Sequence, residues 1–211
     1  MKRCLTFLAV RSSAVLAVAS ACTDPTSPPA QGAASLEWAT STLNSKTPQC
    51  VPGPHWSNAP VAASDAPQTS ATGASGGFVV DGVAGGVVTC SVVQQGEAYA
   101  VLAEIHSTNA DGSLWTEVGV SVTIDNENDA QGTLYITDEK SQDTFSSDTA
   151  IVPPKPGCTY SAHSVGGQLG VGPGRLWASV QCPHINDNRN RAAQECQISA
   201  GFIVLENCLR E

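Results

Sequence analysis

With 211 residues, 19 acidic and 10 basic side chains and a formal net charge of −9, the chain has room for one domain plus extensions, and its charge argues against nucleic acid as a partner. None of its eight cysteines forms a C-x-x-C pair, which removes thiolate zinc sites and thioredoxin-type redox chemistry from the expected functions. The acidity is concentrated in residues 97–148, which hold eleven acidic residues and one basic, Lys140.

Residues 1–21 read as a signal peptide. Lys2, Arg3 and Arg11 precede a short apolar run at 14–19, and the small residues Ala19, Ser20 and Ala21 lead to Cys22. The apolar run is far too short to span a bilayer. Losing this leader leaves seven basic against 19 acidic residues, a formal −12. The stretch Val18-Ala19-Ser20-Ala21-Cys22 resembles a bacterial lipobox, with Ala19 where Leu is commonest. The resemblance implies cleavage before Cys22 and lipidation of its thiol. Residues 22–76 are then expected to be a disordered, lipid-anchored spacer, since residues 23–77 hold eight of the thirteen prolines among Ala, Ser, Thr and Gly. Leu36, Trp38, Cys50, His55 and Trp56 interrupt that composition, so residues 36–60 are expected to form an arm pinned to the domain surface. Gly73-Ala74-Ser75-Gly76-Gly77 matches the G-x-S-x-G pattern by letter. No apolar strand precedes it and no helical pattern follows, so it reads as linker and not as a nucleophile elbow.

From residue 77 to 211 short alternating runs recur with turn signals between them, which predicts an all-β domain, an antiparallel β-sandwich of jelly-roll or meander-plus-hairpin type. Val88, Cys90 and Val92 share one face of a strand that turns at Gln94-Gln95-Gly96, and Tyr99, Val101, Ala103 and Ile105 continue on the next. After the loop at 109–112, Val118, Val120, Val122 and Ile124 alternate with Glu117, Ser121 and Thr123, and Leu134 and Ile136 face in while Tyr135 and Thr137 face out. Residues 158–163 and a final hairpin are expected to supply the opposing layer. Helix has little room; residues 188–195 alone offer a turn or two.

The final hairpin is predicted from one register. Placing Cys182 opposite Cys196 sets Val180 against Ile198, Ala178 against Ala200 and Leu176 against Phe202 on one apolar face, and Trp177 against Gly201 on the other. That register predicts a Cys182–Cys196 disulfide. Six cysteines follow the leader and Cys22, and an even number in an exported chain predicts three disulfides. The pairing of Cys50, Cys90, Cys158 and Cys208 is left open by the sequence.

Val88-Thr89-Cys90-Ser91-Val92, then Gly174-Arg175-Leu176-Trp177 running into Cys182-Pro183, then Phe202 and Glu206-Asn207-Cys208 form a layout over residues 77–208. It resembles a group of uncharacterised secreted or lipoprotein β-domains of Gram-negative bacteria. The resemblance implies a fold and an address, and carries no activity.

Three constellations are candidates for chemistry. Asp125, Glu127 and Asp129 place oxygens at alternate positions, as Ca²⁺ prefers. The twelve-residue calcium loop also needs Gly at its sixth position and Glu at its twelfth, where this chain has Ala130 and Ile136. The segment therefore reads as a polar hairpin loop. His55, His106, His163 and His184 are dispersed and form no metal-binding spacing. Trp115, Tyr135 and Trp177 all fall on the outward phase of their strands, where aromatic faces can stack on sugar rings, or pack beneath a second layer. No catalytic residue and no cofactor is assigned. The expectation is a non-enzymatic lipoprotein domain with a structural or binding role, held by its lipid anchor in the bacterial cell envelope. It faces the periplasm or the exterior, with a glycan or envelope protein as partner. A carbohydrate-binding module and a secreted hydrolase are the alternatives.

Overall fold

The computed structural model describes residues 27–40, 55–57, 78–108, 115–138, 143–147, 157–187 and 195–210. Among these residues there is no helix, and the all-β expectation holds. β1 (Gln31–Thr40), β2 (His55–Ser57) and β3 (Val79–Val80) precede a long meander of β4 (Val87–Gln95), β5 (Ala98–Thr108), β6 (Trp115–Ile124) and β7 (Ala130–Asp138). β8 (Asp143–Ser146), β9 (Cys158–Ala162) and β10 (Val171–Gly172) lead into the long strands β11 (Arg175–Asp187) and β12 (Glu195–Glu206).

Hydrogen bonding joins all twelve strands into one antiparallel sheet, in the order β2-β1-β12-β11-β8-β7-β6-β5-β4, with β9 bridging β11 and β7. The sheet folds over so that β1 faces β5: a Cβ on Gly32 would lie 2.8 Å from Ile105 Cδ1. The expected two layers are therefore portions of one hydrogen-bonded sheet. The inward phases named from the sequence fill the space between them, with Val92, Ile105, Val118, Ile136, Val180 and Ile198 each at most 1% exposed. The free edge of β4 is covered. Val92 N–H donates to Leu209 O at 2.9 Å, Leu209 N–H to Cys90 O at 3.0 Å, and Gly174 N–H to Val92 O at 3.1 Å. The Cys90–Cys208 disulfide fixes the same closure.

Two expectations are corrected. The first concerns the N-terminal boundary. Residues 31–40 lie inside the expected spacer yet form β1, which pairs with β12 along its whole length, Gln31↔Glu206 to Thr40↔Cys196. Ala34, Leu36 and Trp38 are core residues, and the Trp38 ring meets Phe145 at 4.9 Å between centroids. The sheet therefore starts well before residue 77, and Leu36 and Trp38 are inside it, not pinned to its surface. β2, paired to β1 through Leu36↔Trp56, belongs to the same sheet.

The second correction is the hairpin register and its disulfide. Cys182 pairs with Ile198 and Cys196 with Ile185, while Leu176 lies opposite Leu205 and Trp177 opposite Val204. Cys182 is bonded to Cys158 on β9 (Cα–Cα 4.1 Å), and Cys196 is disulfide-bonded to a partner outside the described residues. Two bulges defeat the single register. From Ser179↔Phe202 to Cys182↔Ile198, β12 uses one more residue than β11; from there to Ile185↔Cys196, β11 uses one more than β12. The second bulge contains Pro183, which has no N–H to give to a ladder. The first reverses the facing of β12, because a one-residue insertion moves every later side chain to the other side. Phe202, expected inside, is 36% exposed, and Ile203 and Leu205 are buried in its place. The disulfides themselves agree with the expectation of an exported chain in an oxidising compartment.

Candidate binding face on the meander

The outward phase of β4–β7 forms continuous cross-strand rows, because the four strands pair without a bulge. One row runs Thr89–Glu104–Gly119–Tyr135, the next Ser91–Leu102–Ser121–Thr133, and the next Val93–Ala100–Thr123 with Gln131 at its far end. In the first of these Tyr135 lies on Gly119: a Cβ there would sit 1.7 Å from the tyrosine Cε1, so only glycine admits the ring. The hydroxyl donates to Glu117 Oε1 at 3.0 Å. Burial, followed by the hydrogen bond and charge of Glu117 and then by Glu104, pushes the Tyr135 hydroxyl well above its usual pKa. It is a neutral donor pinned between carboxylates.

Beyond that row the face opens into a trough of about 600 Å³. Leu102, 61% exposed, stands in its middle between Ser91 and Ser121. Val93, Ala100 and Thr123 lie beside it, and Gln131 closes one side with its amide donating to Thr159 Oγ1 at 2.8 Å. At the β4 rim Leu209, 69% exposed, sits next to Ser91 through a parallel bridge. No side chain lining the trough titrates. Hydroxyls, amides and short aliphatic groups alternate on a surface several strands wide, about 4.8 Å per strand. Glu104 and Glu117 stand nearby, and these rows contain no Lys or Arg. Such a face offers hydrogen bonds and apolar contact to an uncharged ligand, and repels anions.

The sequence candidates fall in different places. Trp177 projects from the outward phase as expected but is 3% exposed, so its ring is not available for sugar stacking. Arg175 covers it at 4.4 Å, and its Nε1–H donates to Glu206 Oε1 at 3.1 Å. Trp177 is also remote from Tyr135. Ser146 pairs with both Tyr135 and Asn186, so Trp177 lies nine residues along β11 from the Tyr135 row, roughly 25–30 Å at strand rise. Trp115 begins β6 opposite Thr108, and its side chain lies outside the described residues. The three aromatics do not share a platform.

The acidic loop is spent on its own geometry. Asp125 Oδ1 accepts the N–H groups of Glu127 at 2.8 Å and Asn128 at 2.7 Å, and Oδ2 accepts the Asn128 amide at 3.0 Å. These bonds hold the Asp125 carboxyl below its usual pKa, the Asn128 side chain contributing most. Asn126 docks β10 by donating to Val171 O at 2.9 Å and accepting Val171 N–H at 2.8 Å. Ser161 donates to Asp129 at 2.5 Å. His163 meets Ser179 Oγ at 2.8 Å. Cys22, Cys50, Ser75, residues 109–112 and 188–194, and the side chains of His55 and Trp56 lie outside the described residues.

Sequence reading missed the trough, although its signal was present. Once Tyr99, Val101, Ala103 and Ile105 are assigned inward, Ala100 and Leu102 are left as apolar residues on an otherwise polar phase. No family model matches the chain, and none of the curated proteins or solved structures compared with it is similar.

Proposed function

We propose that this is a non-enzymatic binding domain of the bacterial envelope, tethered by lipid at Cys22, whose β4–β7 face holds an uncharged polysaccharide. The observation that carries the reading is the trough around Leu102, lined by Ser91, Ser121, Thr123 and Gln131 with Val93 and Ala100, and by no titratable group. A sugar chain presents both C–H faces and hydroxyls, which this mixture matches. The acidity of the chain and the adjacent Glu104 and Glu117 disfavour polyanionic glycans. Binding rests on the sheet face rather than on stacked tryptophans. Native electrophoresis through gels cast with dextran, soluble starch or hydroxyethylcellulose tests it. At least one polymer should retard the folded chain, and Leu102→Asp should abolish the retardation without changing Tm. Equal mobility in all the gels would count against the reading.

The anchor rests on the basic-apolar-small order ending at Cys22. Diacylglycerol plus an added acyl chain exceeds the two signals that stable anchoring requires. Cys22→Ser should therefore move the protein from the detergent to the aqueous phase in a partition assay. Unaltered protein already in the aqueous phase would remove the anchor.

A further inference from the structure

Arg175 and Arg210 are the only Lys or Arg side chains among the described residues. They are 35 positions apart in the chain, yet both line one cleft of about 260 Å³ beside the Gly174 turn. One carboxylate lies at its base, so the two guanidinium groups leave a net single positive charge: Glu206, 9% exposed, accepts Trp177 Nε1–H at 3.1 Å through Oε1 and the Gln31 amide at 2.5 Å through Oε2. Arg175 is held in place by its own contacts. One guanidinium nitrogen donates to Gln168 Oε1, another to Leu169 O at 2.9 Å, and the plane lies over the Trp177 indole. Its Nε–H is buried with no acceptor among the described residues. Arg210 packs against the turn, where a Cβ on Gly174 would sit 2.8 Å from its Nε, and its guanidinium makes no hydrogen bond among the described residues.

A strongly acidic chain thus gathers two guanidinium groups in one place, with one buried donor unpaired and a second fork uncommitted among the described residues. A buried N–H without a partner is costly, and a guanidinium fork matches a carboxylate's two oxygens. We propose that this cleft is a carboxylate-binding site, taking a small monoanion between Arg175 and Arg210 with Trp177 as a fixed wall. Its size, below that of most drug-sized pockets, suits one sugar acid or one terminal residue. The proposal stands on these donors and is independent of the trough.

The test is ¹H–¹⁵N spectroscopy of the disulfide-intact chain, following the Arg175 Nε–H and Trp177 Nε1–H signals. Sodium glucuronate and sodium N-acetylalaninate are titrated against glucose, and against sodium chloride at matched ionic strength. Both signals should shift saturably with a carboxylate and not with glucose or chloride. The tighter of the two carboxylates then assigns the source, sugar acid or peptide terminus. Arg210→Gln, which leaves the Arg175 contacts intact, should weaken the carboxylate about tenfold or more, as loss of a charge-assisted hydrogen bond does. Chloride reproducing the shifts, neither carboxylate producing them, or unchanged affinity in Arg210→Gln would each overturn the site.

Discussion

Gly119 is the residue on which the outer face of β4–β7 depends most. Its missing Cβ is what lets Tyr135 lie across the sheet and reach Glu117. A methyl group there must displace the ring or bend β6, and overpacking of this kind costs about 1–3 kcal/mol. We expect Gly119→Ala to lower the urea midpoint by that amount. The cost should fall sharply in a Tyr135→Ala background, because the clash is with the ring; additive effects in the double-mutant cycle would contradict the assignment. Tyr135 facing outward was legible in the alternation of β7. That it is pinned there by a glycine one strand away was not, because the pair is joined only by the register of β6 and β7. Trp177 shows the same limit: its phase was legible, and its burial depends on Arg175, Glu206 and Gln31 arriving from separate elements.

At the level of elements, β1 and the β11–β12 pair mark where local reading succeeds and fails. The meander is legible strand by strand because its pairing is regular and its inward positions are mostly Val, Ile and Leu. β1 carries the same period, Gly32-Ala34-Leu36-Trp38, but two of those positions are too small to register as apolar. Gly32 sits where β1 approaches β5 and β12 closely; a Cβ there meets Ile105 and Leu205. Leu36, 1% exposed, therefore tests membership of the sheet. Leu36→Ala should cost about 2–5 kcal/mol in urea unfolding, as for a buried leucine, whereas a residue in an external spacer would change stability by no more than about 0.5 kcal/mol. The alternation identifies β11 and β12 as a pair but misaligns them, because a regular register cannot accommodate bulges. Pro183 was the one local sign of them. With the register went the disulfide: Cys158 competes for Cys182 from β9 on the opposite flank of β11, a neighbour that no property of the hairpin itself reveals.

Over the whole molecule, the arrangement reads as a sheet whose β4 edge is covered. An unpaired β4 would offer its backbone to other chains. Instead Asp81 Oδ1 accepts Val88 N–H at 3.2 Å, and Leu209 and Gly174 take up the groups of Cys90 and Val92. Cys90–Cys208 ties residues 118 positions apart across that seam. Closure keeps the β4–β7 face in a fixed curvature, so its trough is a preformed surface rather than one assembled on contact, and preformed sites bind at lower ordering cost. Glu104 and Glu117 stand on this face, and the two described arginines lie beyond its β4 rim. The central claim is that the trough is where ligand binds, and methyl ¹H–¹³C spectroscopy of the folded chain tests it most directly, using whichever neutral polysaccharide retards it, as a short oligomer. Methyl signals of Leu102, Val93 and Ala100 should move saturably, while those of Leu169, 57% exposed but away from the trough, stay fixed. Movement of Leu169 with the Leu102, Val93 and Ala100 methyls unchanged would contradict the account.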